Sequence, residues 1–294
     1  MKSAIRNPQS EISNLPIGIF DSGVGGLTVY RALHERLPNE HFVYLGDTAR
    51  VPYGTKSLGT VERYAIENSK FLAAHGIKLL VVACNTASAL ALPAIRAAVN
   101  VKVVGVIGPG ARAAAKIAGG KKIAVVATEA TVQSGAYARE ITAVDSAVEV
   151  IERACPLFVP LAEEGWASSD VARAVAEEYL RDLRKDDLGA LVLGCTHYPI
   201  LRQLISDVIG SQVPLIDSGE ATAAEVKSLL DANGLSAERN TRELSERQLC
   251  DDLDHFYVTD AAERFAKVAE RFLGTAPAVL EAVEVWGHDE LRTH

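Results

Sequence analysis

Cysteine is scarce in this chain. Four residues (Cys84, Cys155, Cys195 and Cys250) are spread over 294 positions, and none forms a C-x-x-C pair. That spacing excludes a disulfide scaffold and predicts reduced thiols, as in a cytosolic protein. No uninterrupted apolar stretch reaches the length of a membrane span. Residues 1–15 are polar and lack the apolar segment of a secretion signal. An excess of positive charge is missing too: the net charge is −8 with no basic block, which argues against nucleic acid or an anionic membrane as the main partner. Cys and His never recur at metal-ligand spacing, so no metal site is expected. Nor does any segment advertise a Schiff-base lysine with a phosphate cup, as pyridoxal phosphate would need.

What is present is an ordinary globular composition, 48% hydrophobic and 23% charged, long enough for two domains. Strand-like apolar runs fall at 17–20, 42–46, 79–83, 103–106, 123–127, 148–151, 191–194, 214–216 and 256–258. Amphipathic stretches such as 61–74 and 170–185 lie between them. The second opens on Ser169-Asp170, an N-cap, and carries Val171, Val175, Tyr179 and Leu183 at four-residue steps. This alternation predicts an α/β fold with two domains, each a mostly parallel sheet flanked by helices. A Gly/Pro-rich hinge at 105–110 separates them, and Asp217-Ser218-Gly219 offers a crossing back. The expected division is 16–108 plus 218–272 for the first domain and 109–217 for the second. Terminal extensions remain at 1–15 and 273–294, the latter a polar tail.

Two cysteines sit at matching points of matching segments, Leu79-Leu80-Val81-Val82-Ala83-Cys84-Asn85-Thr86 and Ala190-Leu191-Val192-Leu193-Gly194-Cys195-Thr196-His197. They lie 111 residues apart (195 minus 84), about a domain length, which hints at pseudo-symmetric halves. In each, a buried-strand pattern ends at the thiol, and the ends of parallel strands are where open α/β sheets hold ligands. Two thiols delivered from two such edges could face one carbon from opposite sides. Helix N–H groups following each cysteine would favour the thiolate, and His197 could exchange a proton with Cys195. Cys155 and Cys250 read as buried hydrophobes or plain thiols. Asp21-Ser22-Gly23-Val24-Gly25-Gly26 reads equally as a tight turn or an anion cradle. Pro52-Tyr53-Gly54 reads as a turn that could close backbone and hydroxyl donors over a substrate. By position alone Glu163-Glu164 is a solvated pair.

Together, Asp21-Ser-Gly-Val-Gly-Gly-Leu-Thr, Gly46-Asp-Thr-Ala-Arg-Val-Pro-Tyr-Gly, Cys84-Asn-Thr-Ala-Ser and Gly194-Cys-Thr-His-Tyr-Pro resemble the glutamate racemases of the aspartate/glutamate racemase superfamily. The resemblance runs from about residue 17 to 272. It implies a cofactor-independent isomerase that interconverts L- and D-glutamate in the cytoplasm, feeding peptidoglycan and so the cell wall, and working as a homodimer. It places Cys84 and Cys195 as the acid/base thiols, with Asp21, His197 and Glu163 as auxiliary proton carriers. Substrate contacts would come from Asp21, Ser22, Pro52, Tyr53, Gly54, Asn85, Thr86, Thr128, Thr131, Thr196 and His197, in an interdomain cleft. One departure is visible: where the family usually carries Gly-Thr-x-x-Thr, this chain has Ala127-Thr128-Glu129-Ala130-Thr131. An aspartate-specific relative and a binding protein that kept the fold are the alternatives.

Overall fold

The computed structural model describes residues 12–237 and 247–286. Residues 1–11 of the expected N-terminal extension, 238–246 of the expected first domain, and 287–294 of the expected tail lie outside them. Ten strands are described: β1 (Ile17–Asp21), β2 (Phe42–Gly46), β3 (Leu79–Val82), β4 (Lys102–Gly105), β5 (Lys122–Ala127), β6 (Val150–Ala154), β7 (Leu188–Gly194), β8 (Leu215–Asp217), β9 (His255–Val258) and β10 (Leu280–Ala282). They form two sheets, ordered β10-β9-β2-β1-β3-β4 and β6-β5-β7-β8, and every pairing is parallel. The expected two-sheet α/β fold is what the chain adopts. Every residue of β1, β2 and β3 is buried, which their Ile-, Val- and Leu-rich runs require of strands covered on both faces. Among the described residues no helix is long and apolar enough to cross a membrane.

The order β2-β1-β3-β4 recurs as β6-β5-β7-β8, so the two halves share one topology. In each, the chain leaves the central strand (β1 or β5) to one side and returns on the other. That reversal opens a crevice at the strands' carboxyl ends, the usual ligand position in such sheets. Cys84 follows β3 and Cys195 follows β7, the equivalent strands. From β8 the helix Ser218–Asn233 leads back to the first half, packing on the helix Leu27–Arg36. Its start is capped by Asp217 Oδ1, which accepts from Gly219 N at 2.7 Å.

Three local expectations differ from the structure. Residues 105–110 are not an open hinge: β4 ends at Gly105 and the helix Ile107–Ala118 begins at once. Pro109 falls in its first turn, where the missing N–H has no intrahelical partner to lose. In the helix Asp170–Leu180, Ser169 caps as expected, accepting from Ala172 N at 3.1 Å. The face it buries, however, is Ala172, Ala176 and Leu180, while Val171 is 53% exposed. Both stripes have four-residue spacing, and alanines permit the closer approach to the neighbouring helix Arg202–Ile209. Lastly, residues 280–282, inside the stretch read as a polar tail, form β10 and pair with β9.

Candidate active site

One cavity is lined by Ser22, Val51, Pro52, Tyr53, Gly54, Cys84, Asn85, Thr86, Thr128, Val159, Cys195, Thr196 and His197. It lies between the two sheets, and each half delivers one thiol to it. Cys84 is 5% exposed and Cys195 6%, so the halves stand nearly shut over both sulfurs. Thr86 Oγ1 of the first half meets Thr128 Oγ1 of the second at 3.0 Å, and Thr28 Oγ1 reaches Thr196 O at 2.8 Å. Eleven of the residues expected at the site therefore share this lining. Asp21, Thr131 and Glu163 do not line it and stand one layer back. Thr131 Oγ1 is 3.3 Å from Thr86 Oγ1 and 3.0 Å from Thr128 Oγ1. Glu163, far from being a solvated loop residue, ends the helix Phe158–Glu163 and lies 3.0 Å from His197 Nε2.

The two thiols have different electrostatic surroundings. Cys84 caps the helix Asn85–Leu90, receiving Ala87 N at 3.5 Å, with Ser22 Oγ at 3.4 Å. Burial first, and then the negative charge of Asp21, push its pKa up to about 12, and those two bonds only partly oppose the rise. The Ala87 N–H favours the thiolate, as expected of a helix start, but burial outweighs it. Cys195 Sγ lies 3.7 Å from His197 Nδ1, whose other nitrogen faces Glu163. Burial alone would lower the His197 pKa, but the bonds to Cys195 and Glu163 win and raise it to about 10. The imidazole therefore holds its proton at neutral pH. Glu163 is lowered in turn: burial would raise its carboxyl, and His197 and Arg264 more than reverse that. Burial raises the Asp21 carboxyl, moderated by the charge of His197 and by N–H groups of Gly26, Gly23 and Ser22.

The Tyr53 hydroxyl is not free for a substrate. It donates to Asp47, which also accepts from Asn68 Nδ2 at 3.1 Å, Thr259 Oγ1 at 3.0 Å and Arg50 Nε at 2.8 Å. Sequence reasoning also passed over Tyr137 and Ser218, which hold Asn85 Nδ2 at 2.8 and 3.3 Å. Among the described residues Asn85 Oδ1 is buried with no hydrogen-bond partner. Ser218 was visible as the residue after a strand end, the same place that marked both cysteines. Tyr137 gave no such signal. A larger cavity of about 550 Å³, lined among others by Ser88, Arg96, Arg112 and Arg139, shares no residue with the thiol cavity.

Comparison with known proteins gives this chain a family. The sequence model of the Asp/Glu/Hydantoin racemase family matches residues 17–226. The glutamate racemase of Geobacter metallireducens is 51% identical over 258 residues, covering 88% of this chain and 92% of its own. The crystal structure of glutamate racemase isoform RacE1 from Bacillus anthracis superposes with a TM-score of 0.86 at 36% identity, covering 93% of this chain and 98% of that one. The glutamate racemase of Francisella tularensis, solved in complex with D-glutamate, gives 0.83 at 39% identity over 93% and 98%. A family match across more than half of the chain, with half the positions of a curated relative shared, means that the chain belongs to the Asp/Glu/Hydantoin racemase family and, within it, to the glutamate racemases.

Proposed function

We propose that this enzyme interconverts L- and D-glutamate without a cofactor, using Cys84 and Cys195 as paired bases on opposite faces of the α-carbon. The observation that carries the reading is that the two thiols end equivalent strands of two sheets and line one cavity. A proton can be removed from one face and returned to the other only if an acid and a base flank the same carbon. Cys84, held as a thiol by burial, supplies the acid. Cys195, beside the charged His197, supplies the base; by the family resemblance it is the thiol that takes the α-proton of L-glutamate. The carbanion takes the Cys84 proton on its other face, giving D-glutamate. The sulfurs end with exchanged protonation states, and D-glutamate runs the sequence backwards.

The α-hydrogen is a weak acid, so charge building on the substrate carboxylate needs donors placed beforehand. Ser22, Thr86, Thr128 and Thr196 line the cavity with hydroxyls, and Asn85 Oδ1 is an acceptor for the substrate ammonium. Near-complete burial keeps water from the carbanion. Glu163 and His197 pass a proton to or from Cys195, and Asp21, whose charge acts on Cys84, does so for that thiol. Thr131 and the Tyr53 ring hold the walls. Glutamate, not aspartate, is the substrate class because relatives 45–51% identical to this chain bear that name. A cytoplasmic, homodimeric enzyme supplying D-glutamate to peptidoglycan follows from the family resemblance. Sedimentation of the purified chain tests the dimer.

The deciding experiment supplies pure L- or D-glutamate, and separately aspartate, in deuterium oxide with no added cofactor. Each glutamate enantiomer should give the other carrying deuterium at the α-carbon, and aspartate should stay unchanged. Cys84→Ser and Cys195→Ser should each reduce interconversion by at least about 10³-fold, as loss of one member of a catalytic unit does. Racemisation at the unmodified rate in either serine variant removes the two-thiol reading.

A further inference from the structure

Thr28 belongs to the first half and is buried at the start of the helix Leu27–Arg36. Its hydroxyl has two carbonyls within reach, Gly25 O at 3.1 Å in its own turn and Thr196 O at 2.8 Å in the other half. A hydroxyl has one proton to donate, and the shorter contact crosses the cleft. Thr196 O belongs to the peptide that leads into His197. Its neighbours are engaged locally, Cys195 O with Tyr198 N at 3.0 Å and His197 O with Ile200 N at 3.2 Å. Gly25 makes room for the Thr196 hydroxyl and the His197 ring. A Cβ built there would lie 2.3 Å from Thr196 Oγ1 and 2.5 Å from His197 Nδ1, the ring nitrogen that faces Cys195.

We infer that Thr28 is a positioning residue that reaches from the first half to align the Cys195–His197 pair of the second, Gly25 leaving the space in which that imidazole sits. Closure of the halves and readiness of the second thiol are then one event. The inference rests on the two-thiol reading above. Cys84 takes its contacts from Ser22 and Ala87 and owes nothing to Thr28. Loss of the Thr28 hydroxyl should therefore be felt by one base only.

Racemisation itself cannot reveal such one-sidedness. The enantiomers have equal free energy, so kcat/KM is equal in both directions whichever base is impaired. A one-base reaction can reveal it. In 3-chloroglutamate the base takes the α-proton, the C–H electron pair forms the Cα–Cβ double bond, and chloride leaves from Cβ. The resulting enamine adds water and releases ammonium to give 2-oxoglutarate. The analogue of L configuration at the α-carbon uses Cys195, and that of D configuration uses Cys84.

The test measures 2-oxoglutarate from each enantiomer with Thr28→Val, Thr28→Ser and Gly25→Ala. Thr28→Val should slow elimination from the L analogue by about 10²-fold, the usual effect of an ångström-scale misplacement, and leave the D analogue near its original rate. Thr28→Ser should restore the L rate. Gly25→Ala, which keeps the hydroxyl but displaces the imidazole, should give the same one-sided loss and serves if the valine variant does not fold. Equal slowing of both enantiomers in the folded variants, or no slowing, overturns the inference. Cys195→Ser is the control: if it still eliminates from the L analogue, the two-thiol reading has failed instead.

Discussion

Cys84 and Cys195 occupy matching places in the two halves, but only one has a histidine beside it. That asymmetry locates the pH response. His197 stays protonated because Cys195 and Glu163 overcome its burial and raise its pKa to about 10. Glu163→Gln keeps the shape and one hydrogen bond but removes the negative charge. The imidazolium is then stabilised less, so His197 loses its proton at lower pH. The alkaline limb of the kcat/KM profile should move toward neutrality, and the rate at neutral pH should fall by about tenfold or more, as when a proton carrier is weakened. A profile recorded across the alkaline range checks the sign. An unmoved limb would mean that Glu163 does not govern His197. Sequence alone showed His197 as a histidine two residues beyond a thiol. Glu163 could not be read from it beyond the family resemblance, since nothing local marks a glutamate that meets its partner across 34 positions.

At the scale of the element, nine strands were legible: β1, β2 and β3, buried throughout, are continuously apolar, whereas Val150–Ala154 is half-buried along its length and only its Val150-Ile151 start was marked. The tenth is three residues long, two of them exposed, and pairs with one neighbour only, so Leu280-Glu281-Ala282 carries no such signature. The helix Asp170–Leu180 was legible as a helix but not in its facing, since two stripes with the same period lie one residue apart. The structure's choice is open to measurement. Leu180→Ala should cost about 3 kcal/mol and Val171→Ala under about 0.5 kcal/mol in urea unfolding. The reverse ranking would restore the sequence's choice of face. The loop 47–54 poses a similar question. If the Tyr53 hydroxyl serves Asp47, Tyr53→Phe should lower stability by about 2 kcal/mol, as for a bond to a charged group, with racemisation of the folded variant little changed. A large fall in kcat at full stability would return that hydroxyl to the substrate.

For the whole molecule, the close approach of the halves sets the terms of entry. Gly54 lies so near the other half that a Cβ on it would sit 2.9 Å from Thr128 Cβ, and the Thr86–Thr128 and Thr28–Thr196 contacts also cross the cleft. Contacts of this kind across a cleft are expected to part and close again in each turnover. Cysteine reactivity can report this motion, because all four thiols are at most 6% exposed in the closed form. Parting exposes the two that line the cavity. Cys155 is 0% exposed in the core, its carbonyl held by Tyr198 Oη at 2.8 Å, and Cys250 is packed with Tyr30 Oη at 2.8 Å from its N–H. Neither lies on the cleft. An alkylating reagent followed by peptide mapping should therefore modify Cys84 and Cys195 well ahead of Cys155 and Cys250. Glutamate at about 100 times its Kd should slow the cavity pair by about 100-fold, the factor by which the free form is depleted. Equal rates at all four, or no protection by glutamate, would place the route to the site somewhere other than between the halves.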